Sequence, residues 1–156
     1  MLPTREKAIE LISEGLACNP ELWGKHCLTA AHCAEKIAEA CGDMDSEKAY
    51  VLGLLHDIGR KFDVSKEELT LIKHELDKVI FDEYDKLIQL CDCLAGTNGV
   101  LDIEMRMSDV KRRYGFYPQQ KWDSNIRLMH YFEGKINKSI YIVCEKDKFV
   151  PENISV

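Results

Sequence analysis

Chemistry concentrates in this chain at the doublet His56-Asp57. An imidazole and a carboxylate side by side are a common way to hold a divalent metal. The doublet is entered from Gly53-Leu54-Leu55 and left through Ile58-Gly59-Arg60, so it comes at the end of the most apolar helix the sequence offers. A lone charge in apolar surroundings is costly unless a cation answers it. Two such residues by themselves are most simply a helix-end histidine beside a solvated carboxylate, but two others shift the balance. His26 has Ala30, Cys33 and Ile37 at i+4, i+7 and i+11, and so projects from an apolar helix face. Asp92 has Ile88 at i−4, Cys91 beside it and Ala95 at i+3, which predicts a carboxylate on a buried face. His26, His56, Asp57 and Asp92 thus belong to the inward faces of three helices. One divalent ion is the most economical reason to aim them at a shared core. Mixed nitrogen and oxygen ligands suit Mn, Fe, Co, Ni or Zn better than Ca, with Mg also open.

The elements that must position these groups read as helices almost throughout. Thr4 can cap a first helix that ends by Asn19-Pro20, and a second runs from Pro20 to Cys41-Gly42 with apolar residues spaced at three and four. Ser46 can cap a third, apolar nearly all round, that ends at Ile58-Gly59. The S-x-x-E capping box at Ser65 opens a fourth over 65–81. A fifth covers 83–94 and is broken by Gly96-Thr97-Asn98-Gly99; a sixth spans 103–113; a seventh spans 123–136. The β-branched and aromatic run 139–144 could form a short strand, although one strand has no obvious partner. The expected fold class is therefore all-α, a compact bundle of six to seven helices.

With 156 residues the chain has the size of one domain, 1–156, and can build its own core. Hydrophobic residues make up 46% and charged residues 31%, which excludes wholesale disorder. The net charge of −6 makes it a poor binder of duplex nucleic acid, where affinity comes from Lys and Arg on phosphates. No apolar run approaches the roughly 20 residues needed to cross a bilayer, and the first residues lack an apolar signal core. The expectation is a cytoplasmic protein without a membrane partner. Seven cysteines, none in C-x-x-C spacing, read as reduced and mostly buried small hydrophobes.

At the histidines and aspartates singled out above, the sequence resembles the HD-domain superfamily of metal-dependent phosphohydrolases, whose pattern is H…HD…D on a helical bundle. Gly24-Lys25-His26-Cys27-Leu28 matches the first histidine, and Asp92 within Leu87-Ile88-Gln89-Leu90-Cys91-Asp92-Cys93-Leu94 matches the last aspartate. His56-Asp57-Ile58-Gly59-Arg60 is close to the H-D-I-G-K form of the HDIG-type subgroup, with arginine where that subgroup has lysine. The resemblance covers residues 20–95 and is loose after Gly96. It implies hydrolysis of a phosphoester or phosphoanhydride. The metal would lower the pKa of a bound water and polarise a phosphoryl oxygen. It also implies a small phosphorylated substrate, with nucleotides as the leading class. Two-metal members carry extra histidines between the doublet and the last aspartate; only His74 lies there, which favours one metal.

His74 is a candidate substrate contact or proton carrier, against an ordinary surface histidine. Arg60 and Lys61 follow the doublet directly and are candidate phosphate contacts, Arg60 also as a catalytic residue beside Asp57. His32 falls among Glu35, Lys36 and Glu39 and is expected in solvent. The cluster Arg106, Lys111, Arg112 and Arg113 is read as a solvated helix end favoured by the dipole, with a role toward phosphate as the alternative. A non-catalytic metal- or nucleotide-binding module of the same fold is the second class of function, and a helical di-iron oxygenase a third. Monomer and homodimer are both compatible with the sequence.

Overall fold

The helices begin where a short oxygen-bearing side chain can take the first free N–H groups of a turn. Thr4 accepts from Lys7 N at 3.3 Å, and Asp45 accepts from Lys48 N at 3.0 Å. Asp82 and Asp85 form a reciprocal capping box, and Asp102 Oδ1 accepts from both Glu104 N and Met105 N at 3.0 Å. The computed structural model describes residues 2–20, 22–61 and 82–154, in which these caps open α1 (Arg5–Cys18), α3 (Ser46–Leu55), α4 (Glu83–Leu94) and α5 (Ile103–Tyr114). Between and after them lie α2 (Trp23–Cys41), α6 (Gln119–Ile136) and α7 (Ile140–Val143), and a 3₁₀ turn, Ile58–Lys61, follows α3. Gly42 and Gly115 close α2 and α5 with φ of 74° and 77°, the left-handed cap conformation glycine adopts without strain.

The architecture is an all-α bundle built round α2. Its residues Ala30, Cys33, Ala34, Ile37 and Ala38 are fully buried, and α3 and α4 pack against it and against each other. One core cluster joins α2 to α4, α6 and α7 through Leu87, Leu90, Phe132 and Ile140; a second joins it to α1 and α3 through Ala8, Ile12, Cys27 and Leu54. Gly53 lets α3 approach closely: a Cβ there would lie 2.9 Å from Ala31 Cα and 3.0 Å from Ala30 O. The ends of α3 and α4 therefore meet the start of α2 at one end of the bundle.

Four expectations change. Asp45, one residue before Ser46, caps α3. Helix α6 starts at Gln119, four residues earlier than the apolar spacing suggests, because Pro118 is well placed to precede a first turn. The run 139–144 forms no strand. It is the turn α7, in which Val143 N and Cys144 N donate to Ser139 O and Ile140 O at 3.1 and 2.8 Å. A lone strand would leave those groups unpaired, whereas a helical turn satisfies them locally. Among the described residues the only β-type pairing is the isolated bridge Ala95–Val100. His32 is not solvated either. The C-terminal turn folds over it, so its ring stacks on Phe149 at 3.7 Å and its Nε2 meets Cys144 O at 3.1 Å. Burial lowers its pKa, partly opposed by that carbonyl and by Glu145.

The seven cysteines are free, and Cys27, Cys33, Cys91 and Cys144 are buried as expected. The fourth helix expected over 65–81 lies outside the described residues. No described helix is long and apolar enough to cross a membrane.

Candidate metal centre

A helix leaves its last carbonyls without partners, and two of those carbonyls build this site. His26, on the first turns of α2 and 8% exposed, places Nδ1 3.0 Å from the carbonyl of Ala95, the residue that ends α4. His56, at the end of α3, places Nδ1 2.7 Å from the carbonyl of Gly53. A carbonyl can only accept, so both Nδ1 atoms carry the proton and both Nε2 atoms present a lone pair. Those two lone pairs face one another, with Nε2 to Nε2 at 3.2 Å. Two carboxylates flank this pair of nitrogens. Asp92 Oδ1 lies 3.0 Å from His26 Nε2 and 3.6 Å from His56 Nε2; Asp57 Oδ2 lies 4.0 and 3.9 Å from the same atoms.

Four electron-rich groups thus converge with no N–H or O–H of their own between them, an arrangement that needs a cation or a proton to be stable. The donor set of His26, His56 and Asp57 fits a divalent ion. Ligand atoms about 2.0–2.2 Å from one ion must lie within roughly 4.4 Å of each other, and those of His26, His56 and Asp57 all fall within 4.8 Å, with the histidine separations well inside. Imidazoles that ligate a metal usually donate the other ring N–H to a carbonyl or carboxylate, as both do here.

The electrostatics of the cluster point the same way. Burial opposes the charged form of Asp92, but the hydrogen bonds and charge of His26 and His56 overcome it and hold the carboxyl below the usual range. Burial likewise opposes protonation of His56, yet Asp92, the Gly53 carbonyl and Asp57 together raise its pKa.

Of the residues singled out from the sequence, His26, His56, Asp57 and Asp92 come together. The expected burial of Asp92 needs correction: 52% of its side chain is exposed. Ile88 and Ala95 turn toward the core, while Asp92 stands at the edge of that face and reaches the histidines from the open side of the cluster. Arg60 and Lys61 continue from the doublet in the 3₁₀ turn, with side chains outside what is described, and His74 lies outside the described residues. Arg112 and Arg113 pair with Asp109 at 2.6 and 2.9 Å on the exposed end of α5, as a solvated face would. The two carbonyls that set the tautomers were not foreseen. Their only sequence signal is the end of a helix beside a ligand, at Gly96 for Ala95 and at the doublet itself for Gly53.

The HDOD domain family model matches residues 6–75. Over those residues the chain is similar to that family. The matched segment takes in α1 from Glu6 onward, α2 and α3, with His26 and the doublet, and ends before Asp92. No curated protein and no solved structure matches the chain.

Proposed function

We propose that this chain is a metal-dependent hydrolase of a phosphoester or phosphoanhydride, with nucleotides as the leading substrate class. The observation that carries the reading is the cluster of His26, His56 and Asp57, with Asp92 beside the two imidazoles and both Nδ1–H groups already committed to backbone carbonyls. The resemblance of His56-Asp57-Ile58-Gly59 to the HDIG-type subgroup supports the same chemistry. A divalent ion held there would supply Lewis acidity toward a water and a phosphoryl oxygen. The chain's own groups do the rest. His26 and His56 are neutral nitrogen ligands of fixed tautomer, and two carboxylates offset a dication, so an anionic substrate is not repelled. The exposed flank of Asp92 leaves the cluster open on one side. Asp57, beside that opening, is a ligand and a candidate to hold the attacking water. Arg60 and Lys61 would bind phosphoryl oxygens, and His74 would carry a proton.

A second reading has its own support, because HDOD domains are frequently non-enzymatic. In that case the chain keeps the fold and the ion as a binding module. Metal analysis of the purified protein, then phosphate release from an aryl phosphate and a nucleotide panel with Mn²⁺, Co²⁺, Mg²⁺ or Ni²⁺, separates the two. The hydrolase reading expects turnover that Asp57→Asn abolishes together with metal content, while His130→Ala, on an exposed face, leaves both intact. Metal-loaded wild-type protein that releases phosphate from none of these substrates would sink it.

A further inference from the structure

Positive charge is not spread evenly along this acidic chain. No acidic residue lies between Asp109 and Asp123, while Lys111, Arg112, Arg113 and Lys121 do. That segment carries +4 within a chain of −6, which leaves −10 on the rest. It comprises the last turn of α5, a short loop and the first turn of α6, and all four basic residues are exposed. Asp109 answers both Arg112 and Arg113, at 2.6 and 2.9 Å, so one carboxylate faces two guanidiniums and positive charge is left over. Exposed pairs of this kind contribute little and give way to a better anion.

Two large apolar rings stand in the same segment. Tyr114 is 75% exposed and Phe116 69%, although rings of this size usually add most to a fold by burial. Gly115 between them closes α5 with φ of 77°, so the rings flank a tight turn. The loop is anchored from below. Tyr117 Oη accepts from Nδ2 of the fully buried Asn125 at 2.9 Å, and the Tyr117 ring meets Trp122 edge-on at 5.9 Å. Cations lie against the rings as well: Arg113 is 5.7 Å from the centre of Tyr114, and Lys121 Nζ 5.7 Å from that of Tyr117. Rings and charges therefore interleave on one fixed strip.

We propose that this strip, 111–121, is a docking surface for single-stranded nucleic acid, with the cations taking phosphates and Tyr114 and Phe116 stacking on unpaired bases. It stands apart from the hydrolase reading and does not depend on it. Charge and shape select the occupant. A ring stacks on any base, but only an unpaired base can reach it, so a duplex gains the charges without the rings. An anionic membrane spreads its charge over a whole face and meets the −10 of the rest of the chain, whereas a flexible strand can follow a narrow strip. An acidic peptide uses the cations and leaves both rings in water. A second copy joined strip to strip brings +4 against +4.

The test is fluorescence anisotropy of labelled oligo(U) and oligo(dT), each about 12 nucleotides long, with the full chain in chelator, at about 50 and 200 mM salt. A duplex of equal length, a glutamate peptide of equal length and vesicles of equal parts phosphatidylserine and phosphatidylcholine are the competing probes. Both strands, or oligo(U) alone if the 2′-hydroxyl is read, should bind more tightly than every competitor. Each phosphate contact adds about 0.7 to the slope of log affinity against log salt, so Lys111→Gln/Arg112→Gln/Lys121→Gln should flatten it by about 2. Tyr114→Ala/Phe116→Ala should weaken binding about tenfold or more and leave that slope unchanged, while Tyr114→Phe should bind like wild type. Lys7→Gln, on α1, should change nothing. No binding of either strand, a duplex bound as tightly, an unchanged slope in the triple variant or unchanged affinity without the two rings overturns the proposal. Tighter binding of the peptide or the vesicles overturns it in favour of that partner. Because chelator removes the metal, either result leaves the hydrolase reading to its own assay.

Discussion

Gly53→Ala places one methyl group where α3 meets α2, and the structure fixes the sign of its effect. The added Cβ would lie 2.9 Å from Ala31 Cα, 3.0 Å from Ala30 O and 3.1 Å from Ala30 C. All three are backbone atoms, so no side chain can rotate away, and the two helices must move apart. Overpacking of a filled core costs about 1–3 kcal/mol, and a backbone clash belongs in the upper half of that range. Alanine in place of a helical glycine returns about 1 kcal/mol. The net loss is about 1–2 kcal/mol, and a chain of this length loses about 2–4 °C of Tm per kcal/mol, hence about 2–8 °C. Gly134→Ala on α6 is the control: nothing lies within 4 Å of its Cβ, so it should stabilise, by up to about 1 kcal/mol. Urea and thermal unfolding of both variants, in chelator so that metal binding does not contribute, reads the difference directly. Because Gly53 O also holds His56 Nδ1, Gly53→Ala should weaken metal binding as well. A Gly53→Ala protein as stable as Gly134→Ala would refute the close approach of the two helices.

Two further outcomes follow from groups away from the metal centre. The pKa of His32 is lowered on folding, chiefly by burial, so the unfolded chain binds its proton more readily; its contribution to stability is present above the unfolded value of 6.5 and lost as pH falls below it. His32→Gln should therefore flatten the acid side of the stability curve between pH 7 and about 5, and an unchanged slope in urea melts across that range would contradict the burial of the ring. Arg5 bonds Glu35 and Glu47 and lies 3.6 Å over the Tyr50 ring, tying α1 to α2 and α3. Because Glu47 is largely exposed, Arg5→Gln should cost only about 1 kcal/mol. That loss should shrink in high salt, and a salt-independent loss would assign it to packing on Tyr50 instead.

The sequence alone determined the helical class and the four residues that could meet a metal. Spacing at three and four fixes which side of a helix is apolar, and a histidine or aspartate on that side is conspicuous because burial without a partner is costly. That logic found His26 and the doublet, and it found the span of α4 to the residue. It overstated the burial of Asp92, since periodicity gives the direction of a side chain but not whether another element covers it. It misjudged His32 for the same reason in reverse: a polar helix face became an interior one when the turn after α7 closed over it. It also left a short strand open over 139–144, where a helical turn forms, because β-branched residues favour strands only where a second strand can pair with them. Only the tertiary structure decided which nitrogen of each histidine is free. The carbonyls that set the tautomers belong to Gly53 and Ala95, and nothing in a residue's type says whether its backbone oxygen is left over at a helix end.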